Sequence, residues 1–277
     1  MDKIMTEHNH PSMHDYHSWI TDESCQVTDI NKFFQEIHSW APKRNLLVTT
    51  LGQVGNLPLL LLEKRNPFSS RSILIAGGFH GEEPAGSWGI VRFLKTAPER
   101  FFDDLNISFL PLINPTGFKV GRRTNDWGEN PNQGFCPSSL IQHSPSREGL
   151  VLLKNLTRIK LLAKDAFLSL HEDVEMERFY LFTFETADTP GLFSQVLHQA
   201  ESKFFLQQPD GMIEDSKVKD GLVFRKCDGS FEDLLFHEGI FRTACTETPG
   251  LLDINLRITA NVAIITALAE YTITNKR

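Results

Sequence analysis

The chain has 277 residues, 40% of them hydrophobic and 23% charged, with a formal net charge of −7. That balance excludes a disordered or collagen-like chain, and the length suits one large domain or two small ones. No stripe of lysine and arginine runs through it, so a nucleic-acid partner is not expected. The longest apolar runs, residues 57–62 and 262–269, fall well short of the ~20 residues that cross a bilayer, so no membrane partner is expected either.

The first ten residues, MDKIMTEHNH, show no apolar stretch and no small-residue cleavage site. No secretory signal is expected from them. Cys25, Cys136, Cys227 and Cys245 form no CxxC pair and are too sparse for a disulfide scaffold, which fits a cytoplasmic setting. His8, His10, His14 and His17 form a tract of a kind that can bind metal, but no carboxylate or cysteine spacing accompanies them. A polar leader is the simpler reading. Residues 29–40 then place Ile30, Phe33, Phe34 and Ile37 at helical spacing. Residues 1–40 thus read as a leader and a helix, and residues 41–277 as one domain.

Residues 45–54 and 57–63 read as two strands joined at Gly55-Asn56, a turn dipeptide. Residues 71–76 are a short apolar run ended by Gly77-Gly78, the signature of a buried strand. Residues 83–96 read as a helix with Pro84 in its first turn. Residues 105–113 read as a strand stopped by Asn114-Pro115. The stretch 116–142 is rich in Gly, Pro, Asn and Ser, and so long an irregular segment in a compact domain is usually functional. A helix over 147–163 follows, then strands at 166–170 and 179–184, a helix at 190–205, and a short strand at 221–225. A strand at 241–245 and a closing helix at 254–271 complete the chain. Strands alternating with helices predict an α/β fold, a mixed sheet with helices on both faces.

Chemistry gathers at the strand ends. Gly77-Gly78-Phe79-His80-Gly81-Glu82-Glu83-Pro84 spaces His80 and Glu83 as HxxE at a strand-to-helix turn. Zinc takes imidazole nitrogen and carboxylate oxygen, and a catalytic site uses three such ligands with one position open. The glycines let the backbone turn tightly there. A second HxxE, at His198 and Glu201, lies within a predicted helix and reads as a solvated face. His171 closes the run Phe167-Leu168-Ser169-Leu170 and is the candidate third ligand, because sites in open α/β sheets form beyond the carboxyl ends of strands. Glu172 or Asp173 is a candidate acceptor for its second ring N–H. Glu247, at the end of another strand, is the candidate general base. Arg122 and Arg123, in the long loop, are candidates to face a developing oxyanion.

In these four blocks the sequence resembles the zinc carboxypeptidases of the carboxypeptidase A superfamily, most closely short bacterial members such as the murein peptide amidases. The blocks are HGEEPAG, NPTGFKVGRRTN, the strand-ending SLH, and ETPG. They occur in the family's order, and the resemblance spans roughly residues 45–270. It implies one zinc ion on His80, Glu83 and His171, Glu247 as general base, and Arg123 as the oxyanion arginine. It also implies an eight-stranded, mixed and mostly parallel twisted sheet with helices on both faces.

Two departures bear on substrate. The family clamps a terminal carboxylate with the Asn-Arg pair of DLNRNF, but here Asn130-Pro131-Asn132-Gln133-Gly134-Phe135 puts Asn132 at the first position and Gln133 where the arginine belongs. A neutral amide cannot replace a bidentate guanidinium. Arg122 is the candidate to reach in instead. The tyrosine that many relatives place over the substrate is also missing, with Phe224 near its place. Glu232 and Asp233 precede Glu247 at about the distance of the relatives' side-chain pocket, where they would pair with a cationic group; acids at a helix N-terminus are the alternative reading. The expected function is a zinc metallocarboxypeptidase acting on a short peptide. A deacylase of N-acyl amino acids, of the succinylglutamate desuccinylase/aspartoacylase branch, is the alternative enzyme, and a non-catalytic zinc-site binding protein the alternative from another class.

Overall fold

The computed structural model describes residues 27–64, 69–135, 144–184, 191–213, 215–224 and 228–275. The histidine tract, Cys25, Cys136 and Cys227 lie outside them. Among the described residues, ten strands form one mixed sheet in the order β1-β2-β4-β3-β5-β10-β6-β9-β8-β7. The strands are β1 (Leu47–Val54), β2 (Leu57–Glu63), β3 (Ser72–Gly77), β4 (Asn106–Leu110), β5 (Ala166–Asp173), β6 (Tyr180–Thr183), β7 (Gly211–Ile213), β8 (Ser216–Lys219), β9 (Leu222–Phe224) and β10 (Thr243–Pro249). The expected count of eight is therefore corrected to ten. The parallel part is the central block β4-β3-β5-β10, together with β6–β9. Both flanks are antiparallel.

Residue pattern accounts for this layout. The interior strands β3 and β5 are apolar on both faces, as strands covered on both sides must be. Gly55 takes φ +60° at the β1–β2 turn, where a side chain would be strained. The strands β7, β8 and β9 form a meander. Its second turn is Asp220-Gly221, both with positive φ, and Asp-Gly is a strong hairpin signal.

Helices cover both faces. On one, α1 (Ile30–Trp40), α2 (Pro84–Thr96), α3 (Arg100–Asp104), α7 (Leu192–Glu201) and α9 (Ile254–Thr274) bury Phe33, Ile90, Phe101, Leu197 and Ile264 against the sheet. On the other, α5 (Arg147–Lys154), α6 (Leu156–Leu162) and α8 (Phe231–His237) bury Leu152, Ile159 and Phe231. Burying each such side chain contributes roughly 1.5–3 kcal/mol. The helix expected over 147–163 is two, broken at Asn155, whose side-chain amide donates to Val151 O at 2.8 Å. Helix α9 is long and apolar enough to cross a membrane by length and composition, yet here it lies against α2 and α7 as a core helix. Helix α1 joins the main core rather than standing apart: Trp88 Nε1 donates to Val27 O at 2.7 Å beside it.

Candidate active site

The turn after β3 fixes the first two site residues. Gly78 takes φ +66°, and a Cβ on Gly81 would lie 2.1 Å from the backbone carbon of Gly117 in α4 (Pro115–Phe118). No side chain fits there, so the turn is pinned against α4, and Gly81 N donates to Arg122 O at 3.1 Å. Glu83 then stands at the N-cap of α2, immediately before Pro84. The remaining residues come from one row across the sheet. In β5 and β10, His171 pairs with Glu247, and Glu247 pairs with Tyr180 on β6, so all three project from the same face.

His80 and His171 converge on the two oxygens of a single carboxylate. His80 Nδ1 lies 2.6 Å from Glu83 Oε1, and His171 Nδ1 lies 2.8 Å from Glu83 Oε2. All three side chains are buried, and one donor atom from each lies within 4.8 Å of the others. Burial alone would raise the Glu83 carboxyl, but the two imidazoles hold it far below the usual carboxylate range. Two imidazole nitrogens and one carboxylate, facing a cleft, fit the donor set of a catalytic zinc. Outside this trio, His80 Nε2 lies 3.0 Å from Asn130 Oδ1, which turns Nδ1 inward. The Phe79 ring stacks on His171 at 5.5 Å between centroids.

The cleft has a volume of about 830 Å³ and is lined by His80, Glu83, Arg123, His171, Tyr180 and Glu247, among others. Burial pushes the Glu247 carboxyl up to about 8; nearby His171 opposes this, while the charges of Glu83 and Asp173 add to it. Arg123 Nη1 lies 3.3 Å from Glu83 Oε1, with its guanidinium half exposed at the cleft wall. Tyr180 was not singled out by sequence, and it donates from its hydroxyl to Asp173 Oδ2 at 2.7 Å. Burial, with the charges of Glu247 and Asp173, holds the phenol far above its usual range, so it remains a donor. Phe182 and Phe224 line the same wall. Acid dominates the lining: Glu82, Glu172, Asp173, Glu175, Asp215, Asp228 and Glu232 face it besides Glu83 and Glu247, and Arg123 is the one arginine or lysine there among the described residues.

Several expectations are corrected. Arg122 does not reach the cleft. Its guanidinium donates to Asn125 O at 2.7 Å and to Asp126 Oδ1 at 3.1 Å, which closes its own loop. Asp233 is fully buried behind the turn before α8, where Oδ2 accepts from Asp228 N at 3.0 Å and Gly229 N at 3.2 Å, so it offers nothing to a ligand. Neither Glu172 nor Asp173 serves the outer nitrogen of His171. Glu172 accepts from Ala85 N at 2.6 Å and pairs with Arg257, while Asp173 takes the Tyr180 hydroxyl. That nitrogen instead faces Asn132 Nδ2 at 3.3 Å and Glu232 Oε1 at 3.6 Å. Asn132 and Gln133 both line the cleft, as does Glu232; Asn132 Nδ2 donates to Glu232 Oε2 at 3.0 Å. His198 and Glu201 of the second HxxE lie on α7, away from this cleft, but they are not a solvated face: Glu201 is fully buried, because that side of α7 packs toward β10.

The sequence profile of the succinylglutamate desuccinylase/aspartoacylase catalytic domain matches residues 69–201. No curated protein matches. A protein of Shewanella amazonensis SB2B, provisionally assigned as a metallopeptidase, is 37% identical with a TM-score of 0.85, over 90% of this chain and 95% of that one. A counterpart from Shewanella denitrificans OS217, with the same provisional assignment, is 38% identical with a TM-score of 0.83, over 91% of this chain and 93% of that one. A metallo-carboxypeptidase from Burkholderia cenocepacia shares the fold at 17% identity, with a TM-score of 0.67 over 87% of this chain and 68% of that one.

Proposed function

We propose that this chain, which belongs to the carboxypeptidase A superfamily of metallopeptidases, is a one-zinc carboxypeptidase that releases the last residue of a short peptide. The observation that carries the reading is the convergence of His80 and His171 on Glu83 in a cleft that also holds Glu247. When bound on His80, Glu83 and His171, zinc supplies Lewis-acid charge at the scissile carbonyl and acidifies water. The chain's own residues do the rest. With a cation on His80, Glu83 and His171, the ionised form of Glu247 beside it is favoured, and that carboxylate takes a proton from the attacking water and passes it to the leaving amine. The Arg123 guanidinium, at the cleft wall, offsets charge growing on the carbonyl oxygen. The Tyr180 hydroxyl and the Asn132 and Gln133 amides present neutral hydrogen-bonding groups to the substrate. Glu232, in a cleft lined mostly by acids, suits a basic group on the departing residue.

The profile match to residues 69–201 supports a second reading, a deacylase that cleaves N-acyl amino acids with the same residues. Mass spectrometry of zinc-loaded protein separates the two. Its substrates are peptides with free or amidated ends and neutral or basic last residues, and N-acyl amino acids. The expected result is loss of one residue from free ends, fastest with basic ones. Glu247→Gln is expected to slow this by roughly 10²–10⁴-fold while retaining metal. Acyl release without peptide shortening selects the deacylase. Unchanged turnover in Glu247→Gln overturns the assigned base.

A further inference from the structure

The His171 ring has two sides. Its Nδ1 faces Glu83, and its Nε2 faces the opposite way, 3.6 Å from Glu232 Oε1. Cys245 stands on β10 two residues before Glu247, and its thiol completes a second group there. One donor atom each from His171, Glu232 and Cys245 lies within 4.8 Å of the others, and all three residues are buried. Glu232 Oε2 accepts from Asn132 Nδ2 at 3.0 Å, and the same amide nitrogen lies 3.3 Å from His171 Nε2, so it must turn toward Glu232 when an ion binds. Its other oxygen, Oε1, makes no hydrogen bond although the side chain is 1% exposed. A buried carboxylate oxygen with no hydrogen bond, facing His171 Nε2 at 3.6 Å, carries a desolvation cost that a cation would relieve. His171, Glu232 and Cys245 are all among the residues that line the cleft, which opens a route for an ion from solvent.

We propose that His171 Nε2, Glu232 Oε1 and Cys245 Sγ form a second metal site, for a thiophilic divalent ion such as zinc or cadmium, that shares His171 with the first. The proposal rests on the first centre, since His171 Nδ1 must be committed to the ion beside Glu83. Sulfur with nitrogen and oxygen is a borderline-soft set, which selects zinc or cadmium over magnesium or calcium. Binding displaces the thiol proton and the Nε2 proton, and both leave to solvent; nothing is oxidised or reduced. Two cations on one imidazole repel each other, so the second site is the weaker one and fills only when the metal is in excess. An ion there occupies the oxygen that a basic substrate group would use, so excess metal competes with such a substrate.

Cobalt(II) titration of the metal-free full chain, followed by absorption and calorimetry, tests this. The first equivalent is expected to give a visible cobalt spectrum without thiolate bands. The second is expected to add a near-ultraviolet thiolate-to-cobalt charge-transfer band and to release protons. In Cys245→Ser the band disappears and binding at these sites falls from two ions to one, with the visible spectrum of the first equivalent unchanged. Glu232→Gln keeps the thiol but weakens the second ion at least about tenfold, as loss of a charged ligand should. One equivalent without a thiolate band, or a second equivalent that survives in Cys245→Ser, overturns the second site and leaves the first intact. A thiolate band in the first equivalent overturns the shared arrangement, because the sulfur then belongs to the tighter ion. No tightly bound cobalt at all overturns the first centre, and the second with it.

Discussion

Asn130 does its work through one oxygen. Its Oδ1 lies 3.0 Å from His80 Nε2 and also accepts from Asn132 N at 2.9 Å, so one side chain orients a candidate ligand and ties down the loop that carries Asn132. Such outer partners typically set metal affinity within a 10–100-fold range. Asn130→Ala is expected to weaken zinc binding by roughly that factor with the fold retained, measured by competition with a chromophoric chelator and by circular dichroism. At this scale the sequence was informative where spacing is local. His80 and Glu83 are three apart on one turn, and their shared purpose is visible in HxxE. It was silent where register decides. Nothing in residues 176–184 marks Tyr180 as the neighbour of Glu247, because that pairing depends on how β6 meets β10. Asp233 and Glu232 are adjacent in sequence, yet one is sealed behind a turn and the other faces the cleft. A helix turns about 100° per residue, and that rotation was unreadable without knowing which face of α8 met the sheet.

Among the elements, α7 and β10 meet at a buried acid. Glu201 ends α7 with no solvent exposure, and its Oε1 accepts from the Thr248 hydroxyl at 3.2 Å, one residue beyond Glu247. Burial, opposed in part by that hydrogen bond, pushes its carboxyl up to about 8, and the Glu247 charge adds to the rise. The folded state therefore favours the protonated form. Its contribution to stability is complete below the ordinary carboxylate range and is lost as pH rises toward 8. Glu201→Gln keeps an acceptor for Thr248 and removes the titration. The variant is expected to be more stable than the parent by on the order of a few kcal/mol at pH 8–9, the gap closing as pH falls toward 5, followed by denaturant melts across pH. Most long elements were legible to within a few residues, since apolar periodicity and Gly or Pro stops are local signals. Strands β7 and β8 are too short to carry a period, and the break between α5 and α6 is not marked by a glycine or proline but falls at Asn155, whose side chain bonds the backbone.

For the whole molecule, two imidazoles and a carboxylate buried together are a place where a bound ion adds stability to the folded state. Chelation is expected to lower the melting temperature and zinc to restore it. The recovery should grow with free zinc, reaching about 2.7 kcal/mol at a hundredfold excess over the dissociation constant, read by calorimetry at fixed protein concentration. The acid-rich cleft adds a long-range effect: association of a basic substrate should slow as salt rises, because exposed charges are screened beyond about 10 Å at 0.1 M. The α/β class was legible from the alternation of elements, and the order of the central strands was not, since β3, β5 and β10 are neighbours in space but distant in sequence. That separation has a kinetic consequence. The row His171–Glu247–Tyr180 closes only when β10 slides between β5 and β6, two strands made much earlier in the chain. Inserting a late strand into the middle of a sheet demands long loop closures and is slow. A refolding chain would regain helix first and competence last, so partly folded molecules would be mute rather than indiscriminate hydrolases.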